Sequence, residues 1–342
     1  MLKLTVDAAR WRAHQQKVVE DCPGIVPVAK GNGYGFTNAV LAREASRLGC
    51  ETLAVGIASE VAEVREAGFE GSVVVLNPWR PFDALATKLL SDARIITTVS
   101  RVDDLRRVAE LAPSARVLVE VETSMHRHGI SPDDVPRLDL GSLDVQGWTI
   151  HLPAAGSVEE ARRLSLAVAE HPQGAKGIWF SHLSFDDARA LAAELRMPVR
   201  MRVGTRLWLG DKGAYRATGT VLDVHRLPKG TACGYHGART PADGCIVVVS
   251  GGTAHGVALA APATAHSFKQ RLIPIAEALD EVRGRVTSPF TVAGRKRPFA
   301  EPPHMHSSLV FVDGPGLPAQ VGDEVPVTVR MTTTHFDEVQ LA

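Results

Sequence analysis

From Ile25 to about Gly210, short apolar runs alternate with segments of helical period. "IVPVAKG" reads as a strand and "NAVLAREASRLGC" as an amphipathic helix ending beside a glycine. The same alternation continues through the strand-like runs "TLAVGIAS", "SVVVLNP", "RIITTVS" and "RVLVEVET", with "EVAEVREAGF", "PFDALATKLLSDA" and "VDDLRRVAELAP" as the helices among them. Three more strands, "VQGWTIHLP", "GIWFSHLS" and "PVRMRVGT", enclose the helices "SVEEARRLSLAVAEH" and "SFDDARALAAELR". Strands linked by helical crossovers predict an α/β unit built as a parallel (β/α)8 TIM-like barrel, with a doubly wound sheet as the competing topology.

The pattern changes after about Asp211. "GTVLDVHRLPKGTACGYHG", "GCIVVVSGG", "HSSLVFVDG" and "GDEVPVTVRMTTTHF" are short strands separated by Gly and Pro turns, which predicts a mostly antiparallel β domain. The stretch "SFKQRLIPIAEALDEVRG" adds one helix to it. The expected domains are therefore 7–212 and 213–342, and an N-terminal strand over 1–6 is free to join the second.

Composition adds exclusions. The 342 residues are many for a single core. Lys+Arg and Asp+Glu both number 38, so net charge offers no reason to expect a nucleic acid or an acidic membrane as partner. No apolar run approaches the ~20 residues of a membrane span, and "MLKLTVDAARWRAH" has no signal-peptide core. Cys22, Cys50, Cys233 and Cys245 have no CxxC spacing, as expected for reduced thiols in a cytoplasmic protein.

Against that background "VPVAKGNGYGF" stands out, because an apolar run ends in Lys30 and a permissive glycine turn follows. At the C-terminal end of a first barrel strand, a lysine points into the barrel mouth. Desolvation lowers its pKa and makes it a nucleophile, able to join a carbonyl cofactor as a Schiff base. The alternative is a solvated lysine in a glycine loop.

The stretch resembles the cofactor-lysine motif K-A-N-A-Y-G of alanine racemases and their fold-type-III relatives. Further stretches match in the same order. "LAVGIASEVAEVREAG" resembles the strand and helix after the lysine, "VEVETSMHRHGI" the D-T-G-M-x-R-x-G stretch, "GWTIHLPAA" the T-H-F segment and "VRMRVGTRLWLG" the R-x-G segment before a tyrosine. The resemblance implies a homodimer in which the β domain of one subunit closes the other's site. It also implies pyridoxal 5'-phosphate (PLP) held on Lys30, with the phosphate bound by Tyr34, by the amides of Gly204 and Thr205, and by either Ser181 or Ser184. His151 would stack on the cofactor ring and Arg202 would face its nitrogen. A guanidinium donates a hydrogen bond there without giving up its proton.

Two positions depart from the family pattern. Glu120 stands where the racemases typically carry a lysine, carbamylated in some members. A glutamate supplies a carboxylate directly, and the resemblance implies that it pairs with Arg127, which would hold the substrate carboxylate or orient a neighbouring base. The second departure is "VSGGTAHGVAL", aligned with the G-Y-A-D-G motif that carries the opposite-face base. Thr253 falls on the tyrosine and His255 on the aspartate. A threonine hydroxyl is too weak an acid to replace a tyrosine. His255 is the substitute if the segment is extended; otherwise it is structural in a glycine-rich turn. In "EPPHMHSSLVFVDG", Met305 falls near the implied substrate carboxylate. His304 and His306 form an H-x-H which, on a strand, would share one face, although a third metal ligand is not evident.

The sequence thus predicts a PLP-dependent, racemase-like isomerase acting at the Cα of an amino acid. The catalytic candidates are Lys30, His255, Arg127 and Glu120. A PLP-dependent lyase and a non-catalytic PLP-binding protein are the alternatives.

Overall fold

The computed structural model describes residues 1–154, 156–171, 176–259 and 286–342. The helix expected within 267–284 lies outside the described residues. The chain divides into two compact units, one of Arg12–Asp211 and one of Met1–Trp11 with Lys212–Ala342.

Strand β1 (Leu2–Val6) is followed by helix α1 (Ala8–Asp21), which the hydrophobic pattern does not single out. Its buried stripe explains why. Trp11, Gln15, Val18 and Cys22 fall at helical spacing, but Gln15 interrupts the apolar signal. The Gln15 carbonyl accepts from Arg47 at 2.8 Å, while its amide nitrogen is buried with no partner.

The first unit then follows as β2 (Ile25–Pro27), α2 (Asn38–Arg47), β3 (Thr52–Val55), α3 (Glu60–Glu66), β4 (Ser72–Val75), α4 (Ala84–Leu89), β5 (Ile95–Val99), α5 (Val102–Leu111) and β6 (Arg116–Val121). It ends with β7 (Asp144–His151), α6 (Val158–Ala169), β8 (Ile178–Ser181), α7 (Phe185–Leu195), β9 (Val199–Val203) and α8 (Thr205–Leu209). The eight strands β2 to β9 are all parallel, in the order β2-β9-β8-β7-β6-β5-β4-β3. The two ends of that order meet through a parallel bridge, Val28 with Ala54, where Ala29 N–H donates to Ala54 O at 2.8 Å. The sheet is therefore a barrel, and the doubly wound alternative is set aside.

Burial accounts for the strand composition. "TLAV" in β3 and "IITTV" in β5 are buried at every position, as expected where both faces of a parallel sheet are covered. Inside the ring, Val26, Val28, Ala54, Val74, Ile96, Leu118 and Trp179 form one apolar cluster. Helix starts are set by side-chain caps: Thr37 accepts from Val40 N–H, Asp83 from Ala86 N–H and Ser157 from Glu160 N–H. The Asp83 cap starts α4 inside "PFDALATKLLSDA", so that helix is shorter than its pattern suggested.

The second unit continues as β10 (Tyr215–Leu227), β11 (Ala232–Cys233), β12 (Ala238–Arg239), β13 (Gly244–Ser250), β14 (Thr287–Val292), β15 (Arg295–Pro298), β16 (Ser307–Asp313), β17 (Glu324–Pro326) and β18 (Glu338–Leu341). Its main sheet runs β16-β13-β10-β1-β18, with β17 also on β10. Pairing is antiparallel except between β1 and β18. The core packs Leu2, Val221, Val247, Phe290 and Val310. The expected long strand over 322–336 reduces to Glu324–Pro326 on β10, with Val327 adding one more hydrogen bond, to Ala217 O at 3.0 Å, and an isolated bridge to Phe290. All four cysteines are free. Among the described residues no helix is long and apolar enough to cross a membrane.

Leu118 is fully buried in the interior cluster of the barrel. Leu118→Ala is expected to destabilise the protein by about 2–5 kcal/mol, the range for emptying a leucine site in a packed core. A lowered urea midpoint checks this, and an unchanged midpoint would show that the barrel interior is not closely packed.

Candidate functional site

The C-terminal ends of the barrel strands gather most of the residues singled out in the first unit. Lys30 follows β2 in the loop Gly31–Gly35. Its side chain is exposed in the open mouth, yet its ammonium is pushed below the ordinary lysine range. Burial of the group among protein atoms is the main cause, the Arg127 and Arg202 guanidinium groups add to it, and Glu60 opposes it. A methyl at Gly56 would come within 3.1 Å of Lys30 Cβ, so the glycine leaves room for the lysine stem.

Glu60 was not singled out from the sequence. Its carboxylate accepts from Gly31 N–H at 2.7 Å and from Gly56 N–H at 2.6 Å, clamping the loops after β2 and β3 together. The available signal was an acid in the first turn of a helix, directly after a strand.

Tyr34 is buried and adopts a left-handed backbone (φ 54°) that non-glycine residues rarely occupy. Burial and the nearby Glu60 carboxylate push its phenol up to about 12, so it remains a hydroxyl at neutral pH. The ring packs against Gly204, where an added Cβ would fall 2.0 Å from Tyr34 Oη. Gly204 and Thr205 begin α8, whose first-turn amides have no intrahelical acceptor.

Arg202, on β9, is buried, and burial pulls its guanidinium down to about 10; Glu120 works against that shift and Arg127 adds to it. It donates to Ser181 Oγ at 2.9 Å, and Ser181 Oγ lies 2.6 Å from His151 Nδ1. The hydrogens follow from the chemistry. A guanidinium only donates, so Ser181 Oγ accepts from Arg202; the second contact of Arg202, to His151 Nδ1 at 3.4 Å, makes that nitrogen an acceptor too, and the Ser181 hydrogen then points to it. His151 is thus held as the Nε2–H tautomer. Burial, with the Arg202 and Arg127 charges next, takes its pKa down to about 3, so the ring is neutral across the physiological range. His182 was also not foreseen; it meets the His151 ring edge-on at a centroid distance of 5.3 Å.

The two candidate serines separate. Ser184 caps α7, accepting from Asp187 N–H at 3.1 Å and donating to Asp187 Oδ2 at 2.6 Å. Its hydroxyl is committed there, and Ser181 is the serine of the Arg202 network.

Glu120 lies near the end of β6 with 3% of its surface exposed, and its Oε2 has no hydrogen-bond partner. Burial pushes its carboxyl up, while Arg202, Arg127 and Arg80 oppose that by their charge. The expected direct pair with Arg127 is corrected: among the described residues no ion pair joins them. Arg127 instead sits on a loop that returns to the same strand. Glu122 N–H donates to Ile130 O at 2.9 Å and Ile130 N–H to Glu120 O at 2.8 Å. Gly129 permits the return, since a Cβ there would lie 2.2 Å from Glu122 N. Glu120, Arg127, Thr123, His128 and His151 line one narrow crevice.

In the second unit His255 is 6% exposed and both its ring nitrogens are engaged. Nδ1 accepts from Gly252 N–H at 3.2 Å, and Nε2 therefore donates to Asp337 Oδ1 at 3.0 Å. Burial raises the Asp337 carboxyl, but the hydrogen bonds from His255 and from the Leu2 amide outweigh it and hold the group below its usual range. Residues 253–255 form a short 3-10 turn, not an extended segment. His255 is corrected from candidate base to anchor of this turn. Thr253 is exposed, as is Met305 at 65%.

The shared strand face expected for His304 and His306 is also corrected. Both precede β16, and they turn to different partners: His304 to Glu301, His306 edge-on to His255. Among the described residues no group of three or more His, Cys, Asp or Glu side chains is placed to hold a metal.

Comparison with known proteins places this geometry in a family. An alanine racemase from Desulforamulus reducens is 31% identical over 170 residues, covering 46% of this chain and 45% of that protein. One from Geobacillus stearothermophilus is 31% identical over 152 residues, covering 42% of this chain and 38% of its own length. The chain spans less than half the length of these curated relatives. Among solved structures, alanine racemase from E. faecalis superposes with a TM-score of 0.73 at 18% identity, over 100% of this chain and 98% of that one. The alanine racemase from Bartonella henselae with covalently bound pyridoxal phosphate gives 0.73 at 16% identity, over 99% of each chain. At such identities the likeness concerns the fold alone. The model of the alanine racemase N-terminal domain matches residues 6–194. That match takes in more than half of the sequence, and the chain belongs to the alanine racemase family.

Proposed function

We propose that the protein is a PLP-dependent, racemase-like enzyme that moves the Cα proton of an amino acid. The carrying observation is Lys30, an amine at a barrel strand end whose charged form is disfavoured by burial and two guanidinium groups. The residues around it fit the cofactor on independent grounds. Lys30 Nζ has no hydrogen-bond partner among the described residues. Arg202 Nε is buried with no acceptor, as expected of a donor set awaiting one. The bare α-carbon of Gly204 lets Tyr34 Oη sit directly against the backbone that carries the Gly204 and Thr205 amides, so a phenol hydroxyl and backbone donors come together.

In this reading Lys30 carries the cofactor. Tyr34 and the Gly204 and Thr205 amides would hold its phosphate, His151 would pack on its ring and Arg202 would donate to its nitrogen. When bound, the cofactor would supply an electron sink for Cα. The chain's own residues do the rest. Lys30 Nζ, as a neutral amine, would take or return a proton at Cα on one face. Arg202 donates a hydrogen bond and keeps its proton, so electron density stays near Cα and protonation there is favoured. Ser181 and His151 fix the direction in which Arg202 donates. Arg127 would bind the substrate carboxylate in the crevice that Glu120 also lines, where the two charges act on each other without a direct hydrogen bond.

The resemblance supports a homodimer for this reading, and it assigns the second proton-transfer group to the C-terminal unit. Thr253 lacks the acidity and His255 lacks a free nitrogen, so neither is that group.

The purified protein is expected to be yellow, and borohydride is expected to fix the cofactor on Lys30. A pyridoxyl label on another lysine, or none, would overturn the reading. A screen of both enantiomers of the common amino acids for Cα deuterium uptake then gives the substrate class.

Competitive acylation of the cofactor-free protein tests the state of Lys30. Only the neutral amine reacts, so a lowered pKa brings the rise in labelling to lower pH than for the exposed lysines. Arg127→Gln should move that rise to higher pH and Glu60→Gln to lower pH, because the first removes a repelling charge and the second an attracting one. Shifts in the opposite directions would show that these charges do not govern the amine.

Glu120→Gln is expected to weaken amino-acid binding while leaving cofactor retention near normal, since the phosphate is held elsewhere. Loss of cofactor with normal substrate handling would show that Glu120 serves the cofactor instead.

A further inference from the structure

Two helices of the barrel open with an acid that reaches sideways into a strand-end loop. In the first turn of α3, Glu60 accepts from Gly31 N–H, in the loop after β2, at 2.7 Å. In the first turn of α6, Glu160 accepts from Ser124 N–H at 2.6 Å and from the Ser124 hydroxyl at 2.8 Å. Ser124 lies in the loop after β6, whereas α6 follows β7. β2 meets β3, and β6 pairs with β7. Each acid therefore belongs to the helix after one strand and holds the loop after the strand beside it.

Glu160 is prepared for this contact. Ser157 Oγ accepts from its N–H at 3.2 Å and fixes the start of α6, where the helix end favours an ionised carboxylate. Its two oxygens take both hydrogens that Ser124 can donate. Ser124 stands where the motif D-T-G-M-x-R-x-G carries a glycine, so the hydroxyl contact comes from this chain's own side chain.

The loop so held carries Arg127, which is exposed and has no hydrogen bond or ion pair among the described residues. Its backbone is tied on both sides. Thr123 Oγ1 donates to His151 O at 2.9 Å, and His126 N–H donates to Thr123 O at 2.9 Å with the His126 backbone left-handed (φ 48°). Beyond Gly129 the chain returns to β6 through Ile130. The guanidinium is therefore aimed by the loop beneath it and by no partner of its own. A charge displayed on a backbone already fixed loses less freedom when it meets its ligand.

We infer that Glu160 is a positioning residue for Arg127, serving recognition of a carboxylate, as Glu60 serves the loop of Lys30 and Tyr34. The inference rests on the role of Arg127 proposed above. Glu160 does not touch the substrate; it holds the backbone from which Arg127 reaches. Two acids in equivalent places then divide the mouth of the barrel, one keeping the cofactor loop and the other the substrate loop.

The test uses phenylglyoxal labelling of Arg127 in the cofactor-free full chain, read by peptide mapping, with propionate as the carboxylate probe. Propionate should protect Arg127 in the wild type. Glu160→Ala should raise the half-protecting concentration by about 10–100-fold, the usual cost of losing an outer contact that orients a ligand-binding group. Ser124→Ala removes one of the two contacts and should raise it by less, and it serves as the test if Glu160→Ala does not fold. Lys30 should take borohydride label at wild-type yield in both, and in the loaded enzyme Glu160→Ala should raise KM more than it lowers kcat. Glu60→Ala should do the converse, lowering cofactor retention and leaving half-protection within a few-fold. Unchanged half-protection in the folded variants overturns the inference, and so does an equal loss of Lys30 labelling in Glu160→Ala. A wild-type Arg127 that propionate does not protect overturns the role of Arg127 and the inference with it. A wild type that takes no label at Lys30, with Arg127 protection still shifting in the variants, overturns the cofactor reading and upholds the clamp.

Discussion

A guanidinium buried among barrel strands is the constraint on which the rest of the site depends. Arg202 lies on β9 between Met201 and Val203, and its buried N–H groups can be met only by acceptors; Ser181 Oγ is one, and Nε has none. Ser181 takes one of its hydrogens, and that forces the direction of the next hydrogen bond and the tautomer of His151. The same charge depresses Lys30 and His151 and opposes the rise in Glu120. Burial is the larger cause in each case, but one buried cation contributes to the protonation of groups on three different strands or their ends. A lysine in its place would present a compact, rotatable charge and would not fix the chain of donors in the same way.

Close backbone approach is the second constraint, and it works by omission. Gly204 has no side chain because Tyr34 Oη occupies the position a Cβ would take. Tyr34 in turn holds a left-handed backbone in the middle of a glycine-rich turn. Strain of this kind is of order 1–3 kcal/mol and persists only where surrounding contacts over-determine it. Here the clamp is Glu60, which ties Gly31 and Gly56 together and so fixes the loop that carries both Lys30 and Tyr34.

The barrel was legible because both-face burial writes continuous apolar runs, and because Lys30 breaks such a run at a strand end. The β domain was legible in outline, although β18 was not, since "EVQL" alone has neither the length nor the alternation of a strand. Residue identity did not reveal how polar groups are spent. Ser181 and Ser184 read alike in "FSHLS", yet one caps a helix and the other relays a hydrogen bond. His255 read as a base because a histidine can be one, but its two nitrogens are used by Gly252 and Asp337, and nothing local in the sequence announces a partner 82 positions away. Glu60 and Glu301 escaped notice because a carboxylate that clamps a backbone looks like any surface acid until its neighbours are known.

The two histidines of the C-terminal unit show how little the residue type decides. His255 and His304 each have a carboxylate on Nε2. In His255 the backbone amide of Gly252 occupies Nδ1, which closes the ring into the turn and leaves no site for a transferred proton. In His304 the nearby backbone amide, that of Thr253, goes to the residue's own carbonyl, and Nδ1 keeps its lone pair. A carboxylate raises the basicity of whichever nitrogen it does not touch, but that basicity is usable only where the nitrogen is uncommitted. The difference between an anchored imidazole and one with a free nitrogen is therefore the destination of one backbone N–H.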